Sequence, residues 1–402
     1  MKQQIVIAGS GFAGTWAALS AARALALAGR SDSIEITVVS PEPALHMRPR
    51  LYEAAIEGMS PDLKALFDAV DVRHLAGWVE SIRTSASEIE VKRVDGQREL
   101  LLYDRFVLAT GSQVVRPELP GLAEYAFDVD QIDSARALEA HLSSLATHPD
   151  SAARNTVVVV GAGFTGIETA TELPERLRRV LGPDAKGRVV LLDRSPVVGN
   201  ELGPVPRPVI EQALDACGVE VITSAGVLAI DAGGVSMAGG HRIDAMTVIW
   251  TAGVRANPLA QSIGAEHDNF GRVPADRHLR ALGVPGVFVA GDVARAATDD
   301  EGHLAAMSCQ HALSLGRVAG HNAAADLVGL PLHPYSQPKY VTCLDLGAWG
   351  ALYTEGWDRQ VHLTGTEGKT LKRQINTEWI YPPKADRETA FAYADPGFVI
   401  VP

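Results

Sequence analysis

The chain has 402 residues, of which 47% are hydrophobic and 21% charged, with a formal net charge of -12. That length allows two or three domains and a large buried core; the acidic balance argues against nucleic acid as a partner and leaves no polybasic membrane patch. Cys217, Cys309 and Cys343 are too few and too widely spaced for a disulfide framework and suit a reducing cytoplasm.

No leader or membrane span is expected. Glycines interrupt the first apolar run where a signal sequence would continue, and the apolar helix behind them carries Arg23 and stops at Gly29-Arg30. Ile5-Val6-Ile7-Ala8 reads as a strand buried on both faces. It runs into Gly9-Ser10-Gly11-Phe12-Ala13-Gly14, a G-x-G-x-x-G, with a helix expected over 15–27. Gly9 allows the tight turn, Gly11 lets a pyrophosphate approach the backbone, and Gly14 lets helix and strand pack closely. The helix N-terminus then offers free N–H groups and a positive dipole end to phosphate.

Residues 33–39 alternate as a second strand. An acid commonly ends this strand and holds the adenosine ribose. Ser40 stands there instead, with Glu42 two residues on, so a neutral Ser40 hydrogen bond and the Glu42 carboxylate are both open to that task. In the following segment, 46–53, Pro49 either stiffens a solvent-facing loop or holds the Arg48-Pro49 backbone against a flat ring. Short strands with an Asp95-Gly96 turn fill 78–102, and 101–111 reads as a buried strand ending in Ala109-Thr110-Gly111. Small residues there let the backbone pass close to a bound cofactor. Pro117, Pro120 and Gly121 mark a crossover between domains.

A helix over 134–145 precedes a second copy of the device. A strand at 156–160 meets Gly161-Ala162-Gly163-Phe164-Thr165-Gly166, a helix is expected over 167–177, and the next strand closes on Asp193, with Arg194 beside it. One glycine-rich turn is a weak signal; the ordered strand, turn and helix occurring twice is a strong one. Two further apolar strands stop at small residues, one at Gly253 and one at Gly291-Asp292, where the carboxylate is either a turn residue or an acceptor for a polyol hydroxyl. Residues 303–328 have helical character. From Tyr335 the chain reads as strands plus a loop tail, with Phe398-Val399-Ile400-Val401 a terminal strand or docking tail.

Together these pieces resemble the two-dinucleotide-fold flavoproteins of the pyridine-nucleotide oxidoreductase superfamily and, within it, type II NADH dehydrogenases (NADH:quinone oxidoreductases). The matching stretches, 9–14, 48–53, 109–111, 161–168, 251–253 and 291–292, extend over nearly the whole chain. The resemblance implies an α/β fold: two Rossmann-like dinucleotide-binding domains in a glutathione-reductase-like arrangement, plus a C-terminal α+β segment. It implies an FAD-binding domain over 1–116 and 256–334, an NAD(P)H-binding domain over 117–255, and a strand-rich segment over 335–402. FAD would be held by the first turn, Ser40, Glu42, Arg48, Pro49, Val79, Ala109, Thr110, Gly111, Gly291 and Asp292. NADH, with NADPH as the alternative, would lie on the second turn with Asp193, Arg194 and Gly253, and Glu168 would sit near the nicotinamide.

Type II enzymes carry an Ala-Gln pair and then a Gln-Gln pair beside the quinone; this chain has Cys309-Gln310 and Ser314-Leu315. Those enzymes also end in amphipathic helices on a membrane, whereas prolines and Gly397 forbid a long terminal helix here. Residues 40–60 lack the cysteines of disulfide reductases. Tyr340-Val341-Thr342-Cys343 resembles one of the two cysteine sites of sulfide:quinone reductases, without a partner between the glycine turns. The expected protein is a metal-free flavin enzyme passing electrons from NAD(P)H to a quinone-like or other small acceptor, with Glu168, Gln310 and Cys309 as its chemical residues. It would be cytoplasmic, without firm membrane attachment, and compatible with a homodimer. The alternatives are a redox-sensing protein of apoptosis-inducing-factor type and a specialised reductase or oxidase working through Cys309.

Overall fold

The computed structural model describes residues 2–183 and 185–399. One sheet has the strand order Val287–Val289, Arg105–Leu108, Gln3–Ala8, Ile34–Ser40, Val72–Arg83, Glu88–Arg93, Arg98–Leu102. The first five are parallel and the last two extend the sheet as an antiparallel meander. Strand Gln3–Ala8 is buried on both faces from Ile5 to Ala8, as the unbroken apolar run requires. Helices Phe12–Leu27 and Cys309–Val328 pack together. A Cβ on Gly316 would lie 2.3 Å from the Ala13 carbonyl oxygen, and one on Gly320 2.0 Å from that of Ala17, so only glycine allows this backbone contact.

The second sheet repeats the plan with five parallel strands: Val219–Ile222, Arg188–Leu192, Thr156–Val160, Thr247–Trp250 and Ala126–Phe127. In both sheets the strand before the glycine turn has its successor on one side and a later strand on the other. This order opens a crevice at the carboxyl ends of the strands, where such folds bind ligands. Ser112–Val114 and Val254–Ala256 link the two units and pair antiparallel. An antiparallel trio, Val341–Asp345, Ala351–Glu355 and Gln360–Leu363, follows, with helix Gly365–Gln374 packed on it. The mixed α/β architecture is the one expected.

Several expected elements are redrawn. The strand read over 101–111 is two strands, because Asp104 turns the chain: its carboxylate accepts from the Gln4 N–H at 2.8 Å, and its own N–H donates to the Gln4 carbonyl at 2.9 Å. The continuous apolar pattern hid that turn. The helix read over 303–328 starts at Cys309, where the Ser308 hydroxyl caps it by accepting from the His311 N–H at 3.4 Å. The helix read over 167–177 runs Phe164–Leu181, straight through Pro174. The segment after Tyr335 is not strands and loop alone: Gly365–Gln374 is a helix that runs on as a π-helical turn, Ile375–Trp379, and Arg387–Tyr393 is another. Glycines at 365 and 368 mask the first of these, yet a Cβ on Gly368 would meet the Ala351 carbonyl oxygen at 2.3 Å, so the glycine permits the packing. The strand or tail expected over 398–401 reaches Ile400 and Val401, outside the described residues. Among the described residues no helix is long and apolar enough to cross a membrane, and no cluster could hold a metal ion.

Candidate active site

The glycine turns of both units open into a cleft of about 1900 Å³, lined by every candidate cofactor-binding and chemical residue named from the sequence except Gly14 and Gly166. Those two stand behind it. A Cβ on either would lie 1.9 or 1.7 Å from the carbonyl oxygen of Gly9 or Gly161, so both serve close packing of helix on turn. Gly9 and Gly161 have φ of +105° and +108°, and side chains there would strike Ala109 and Ala252. The 109–111 and 251–253 strand ends therefore press against the two turns.

At the first turn, Gly11 caps helix Phe12–Leu27 without any side-chain bond. A Cβ on Gly11 would meet nothing within 4 Å among the described residues. An uncapped helix N-terminus facing open space fits the phosphates of a dinucleotide such as FAD. The Ser40 hydroxyl donates to the Glu42 carbonyl at 2.7 Å and lies 2.9 Å from His74 Nε2. The Glu42 carboxylate is 2.8 Å from His46 Nε2. Both candidates for the ribose thus line the cleft with partners of their own. Asp292, in a short turn at Gly291–Val293, accepts from the Ser112 hydroxyl at 2.6 Å and lies 3.7 Å from Arg48 Nη1. Arg48 also donates through Nε to the Asp130 carbonyl at 3.0 Å. Burial pulls its guanidinium down, but Asp130 and Asp292 outweigh burial and hold it above its ordinary value.

At the second turn, Asp193 closes its strand as expected, with both oxygens engaged by the turn itself. They accept from the Ala162 N–H at 2.6 Å and the Ser195 N–H at 2.7 Å. Further along the same helix, Glu168 is buried and takes part in an ionic network that the sequence did not suggest. Its Oε1 lies 2.8 Å from Lys372 Nζ and accepts from the Asp345 N–H at 3.0 Å. Lys372 donates again to the Cys343 carbonyl at 2.9 Å, while Asp345 accepts from the Tyr52 hydroxyl at 3.0 Å and from Lys369. Burial pushes the Glu168 carboxyl above the usual range against the pull of Lys372. Burial also works against the lysine's charge, but Glu168 leads a set of neighbours that raises Lys372 overall.

Residues 3–316 match the pyridine nucleotide-disulphide oxidoreductase family. The chain belongs to that family. An NADH dehydrogenase-like protein of Mycobacterium tuberculosis is 47% identical over 383 residues, covering 94% of each chain. A type II NADH:quinone oxidoreductase of the same organism is 32% identical over 320 residues, covering 73% of this chain and 66% of its own. Among solved structures, NDH2 from Plasmodium falciparum in complex with NADH shares the fold, with a TM-score of 0.78 over 98% of both chains at 13% identity.

Unlike the disulphide chemistry of the family's name, thiol chemistry has little support here. Cys309 and Cys343 both line the cleft, but burial pushes each thiol up to about 11, so neither is a thiolate at neutral pH. Cys217 lies apart, its thiol donating toward the Leu346 carbonyl at 3.5 Å. Gln310 lines the cleft beside Cys309, and its buried amide nitrogen has no partner among the described residues. Tyr340 also lines the cleft, and it is backed by a ring stack: Tyr340 on Trp357 at 4.3 Å and Trp357 on His303 at 4.6 Å. Sequence reasoning missed Ser112, Asp130, Glu201, Asp345, Arg359 and Lys372. Only the lysine left a trace, the pair Lys369 and Lys372 at one-turn spacing, both bonded into the same network.

Proposed function

We propose that this chain is a type II NADH dehydrogenase: NADH on the second glycine turn gives up a hydride, and two electrons pass to a quinone-type acceptor. The observation that carries the reading is that two complete glycine turns open into one cleft, the first with an unfilled helix end. FAD, when bound along the first turn, would supply the two-electron relay between donor and acceptor. The chain's own contribution is placement. Residues 1–116 and 256–334 are assigned to FAD and 117–255 to NADH. The Arg48-Pro49 turn, anchored through Asp130 and Asp292, would form a rigid edge for the flat ring. Asp193 favours NADH over NADPH, since its charge would repel a 2′-phosphate.

On the acceptor side, reduction of a quinone to a quinol consumes two electrons and two protons. The hydride brings one of the protons and the second comes from the medium. Gln310, with a spare amide N–H, suits a quinone carbonyl on which negative charge grows. Lys372, a buried ammonium in the same cleft, is a proton-bearing group that Glu168 holds in place. The relatives named as quinone oxidoreductases support that acceptor class. The test is anaerobic reduction by NADH followed by stopped-flow reoxidation with quinones, nitroaromatics, ferredoxin, disulfides and oxygen. Rapid multiple turnover with quinones is expected. Slow, stoichiometric reduction that persists in air would overturn the reading in favour of a redox sensor.

A further inference from the structure

The two glycine turns share one backbone but are occupied differently. The space above Gly11 is open, whereas Glu201 folds over the second turn. Its Oε1 accepts from the Phe164 N–H at 3.2 Å, and a Cβ on Gly163 would lie only 2.3 Å from that same oxygen. This is the end of helix Phe164–Leu181 at which unpaired N–H groups and the helix dipole favour an anion. A carboxylate already stands where the pyrophosphate of a dinucleotide would be seated.

The neighbourhood also provides for the carboxylate's departure. Glu201 is exposed, so turning it outward sacrifices no packing. Its backbone is held by the C-terminal segment, because the Glu201 carbonyl accepts from Arg359 Nη1 at 2.9 Å. The same guanidinium lies over the Tyr340 ring at 5.6 Å, and its Nε donor is buried with no partner among the described residues. A spare cationic donor is thus fixed beside the chain that carries the displaceable carboxylate.

We propose that Glu201 is an intrinsic competitor for the phosphate position of the pyridine dinucleotide, displaced toward Arg359 when the nucleotide enters and returning as it leaves. This rests on reading the second turn as the NADH site. The carboxylate sets how tightly the dinucleotide is held and how fast the oxidised product departs, without contact with the transferred hydride. It acts on ligands that carry the pyrophosphate and ignores those that lack it. That selectivity separates it from a general structural role.

The test uses the flavin-loaded protein and the variants Glu201→Gln and Glu201→Ala, with flavin content and thermal midpoint confirming that each is folded. Dissociation constants are measured by calorimetry for ADP-ribose, which carries the pyrophosphate without nicotinamide, and for adenosine, which carries neither. ADP-ribose should bind roughly 2–5-fold more tightly to both variants, the range expected for removing one exposed anion from a helix N-terminus, and adenosine should bind all three proteins alike. The Michaelis constant for NADH should fall in step. Unchanged or weaker ADP-ribose binding in the variants overturns the proposal, and weaker binding would make Glu201 a ligand of the nucleotide. Equal tightening for adenosine also overturns it. If wild type and variants all fail to bind ADP-ribose and NADH, the assignment of the second turn itself is wrong and the proposal falls with it.

Discussion

Glu168 and Lys372, 204 residues apart in sequence, share a 2.8 Å hydrogen bond at a site where each keeps only 7% of its surface exposed. The bond ties the helix behind the second glycine turn to helix Gly365–Gln374. Removing one member of such a buried pair leaves an uncompensated charge, at a cost of about 3–5 kcal/mol. Lys372→Met should therefore lower the denaturant midpoint sharply, and adding Glu168→Gln should restore much of the loss. A double variant no more stable than the single one would show that the pair is not coupled.

The carboxylate of Asp292 is expected to decide flavin retention. Its Ala variant loses the acceptor for the Ser112 hydroxyl and one of the two acids around Arg48. Charge-assisted contacts of this kind are worth roughly twice their neutral counterparts. Purified Asp292→Ala should be largely free of flavin, with Asp292→Asn intermediate, as read from flavin absorbance per polypeptide. Full occupancy in the alanine variant would remove Asp292 from the site.

For Gln310, the expected effect falls on one half of the reaction only. A hydrogen bond that strengthens as an acceptor becomes charged is worth about 1.5–3 kcal/mol, so Gln310→Ala should slow reoxidation by quinone on the order of 10–100-fold. Reduction by NADH should keep its rate. Cys309→Ala should alter neither step, because a thiol held at about 11 stays protonated. Stopped-flow traces of the two halves separate these outcomes.

Acid should destabilise the protein through His311. This imidazole is fully buried, and burial depresses it from 6.5 to about 4. The native state therefore refuses a proton that the unfolded chain accepts. Its contribution is complete above pH ~6.5 and is lost progressively as the pH falls toward ~4, about 3 kcal/mol in all. Urea midpoints at about pH 7 and about pH 4.5 should differ less in His311→Gln than in wild type. Burial also lowers His74, His141 and His321, so part of the slope should persist.

The sequence was most legible where geometry is dictated by a few glycines. The turns at Gly9 and Gly161 require positive φ and close packing, and those demands appear as fixed spacings. The cleft lining followed because each strand that meets a turn stops at small residues, a pattern visible within its own stretch although Ala109 and Ala252 lie far along the chain from Gly9 and Gly161. Lys372, Glu201 and Arg359 were opaque for the opposite reason. Each acts on a partner far away in the chain, and a charged residue with a distant partner looks like any solvated one. The helix at Gly365–Gln374 was missed because its two glycines argue against helix, while the contact that favours Gly368 is made with Ala351, on a strand of the neighbouring sheet.

The position of Val287–Val289 beside Arg105–Leu108 bears on how the molecule is made. The strands of the second sheet all fall between Ala126 and Trp250, so that unit can close on the ribosome as soon as it emerges. The first sheet cannot. Its edge strand and the partner helix Cys309–Val328 are synthesised last, so the N-terminal strands must wait with an apolar face uncovered. Stalled nascent chains ending near residue 270 should therefore contain a protease-resistant core from 117–255 and an N-terminal part open to digestion and to chaperones. Equal resistance of both parts at that length would mean that the N-terminal strands fold without their late partners.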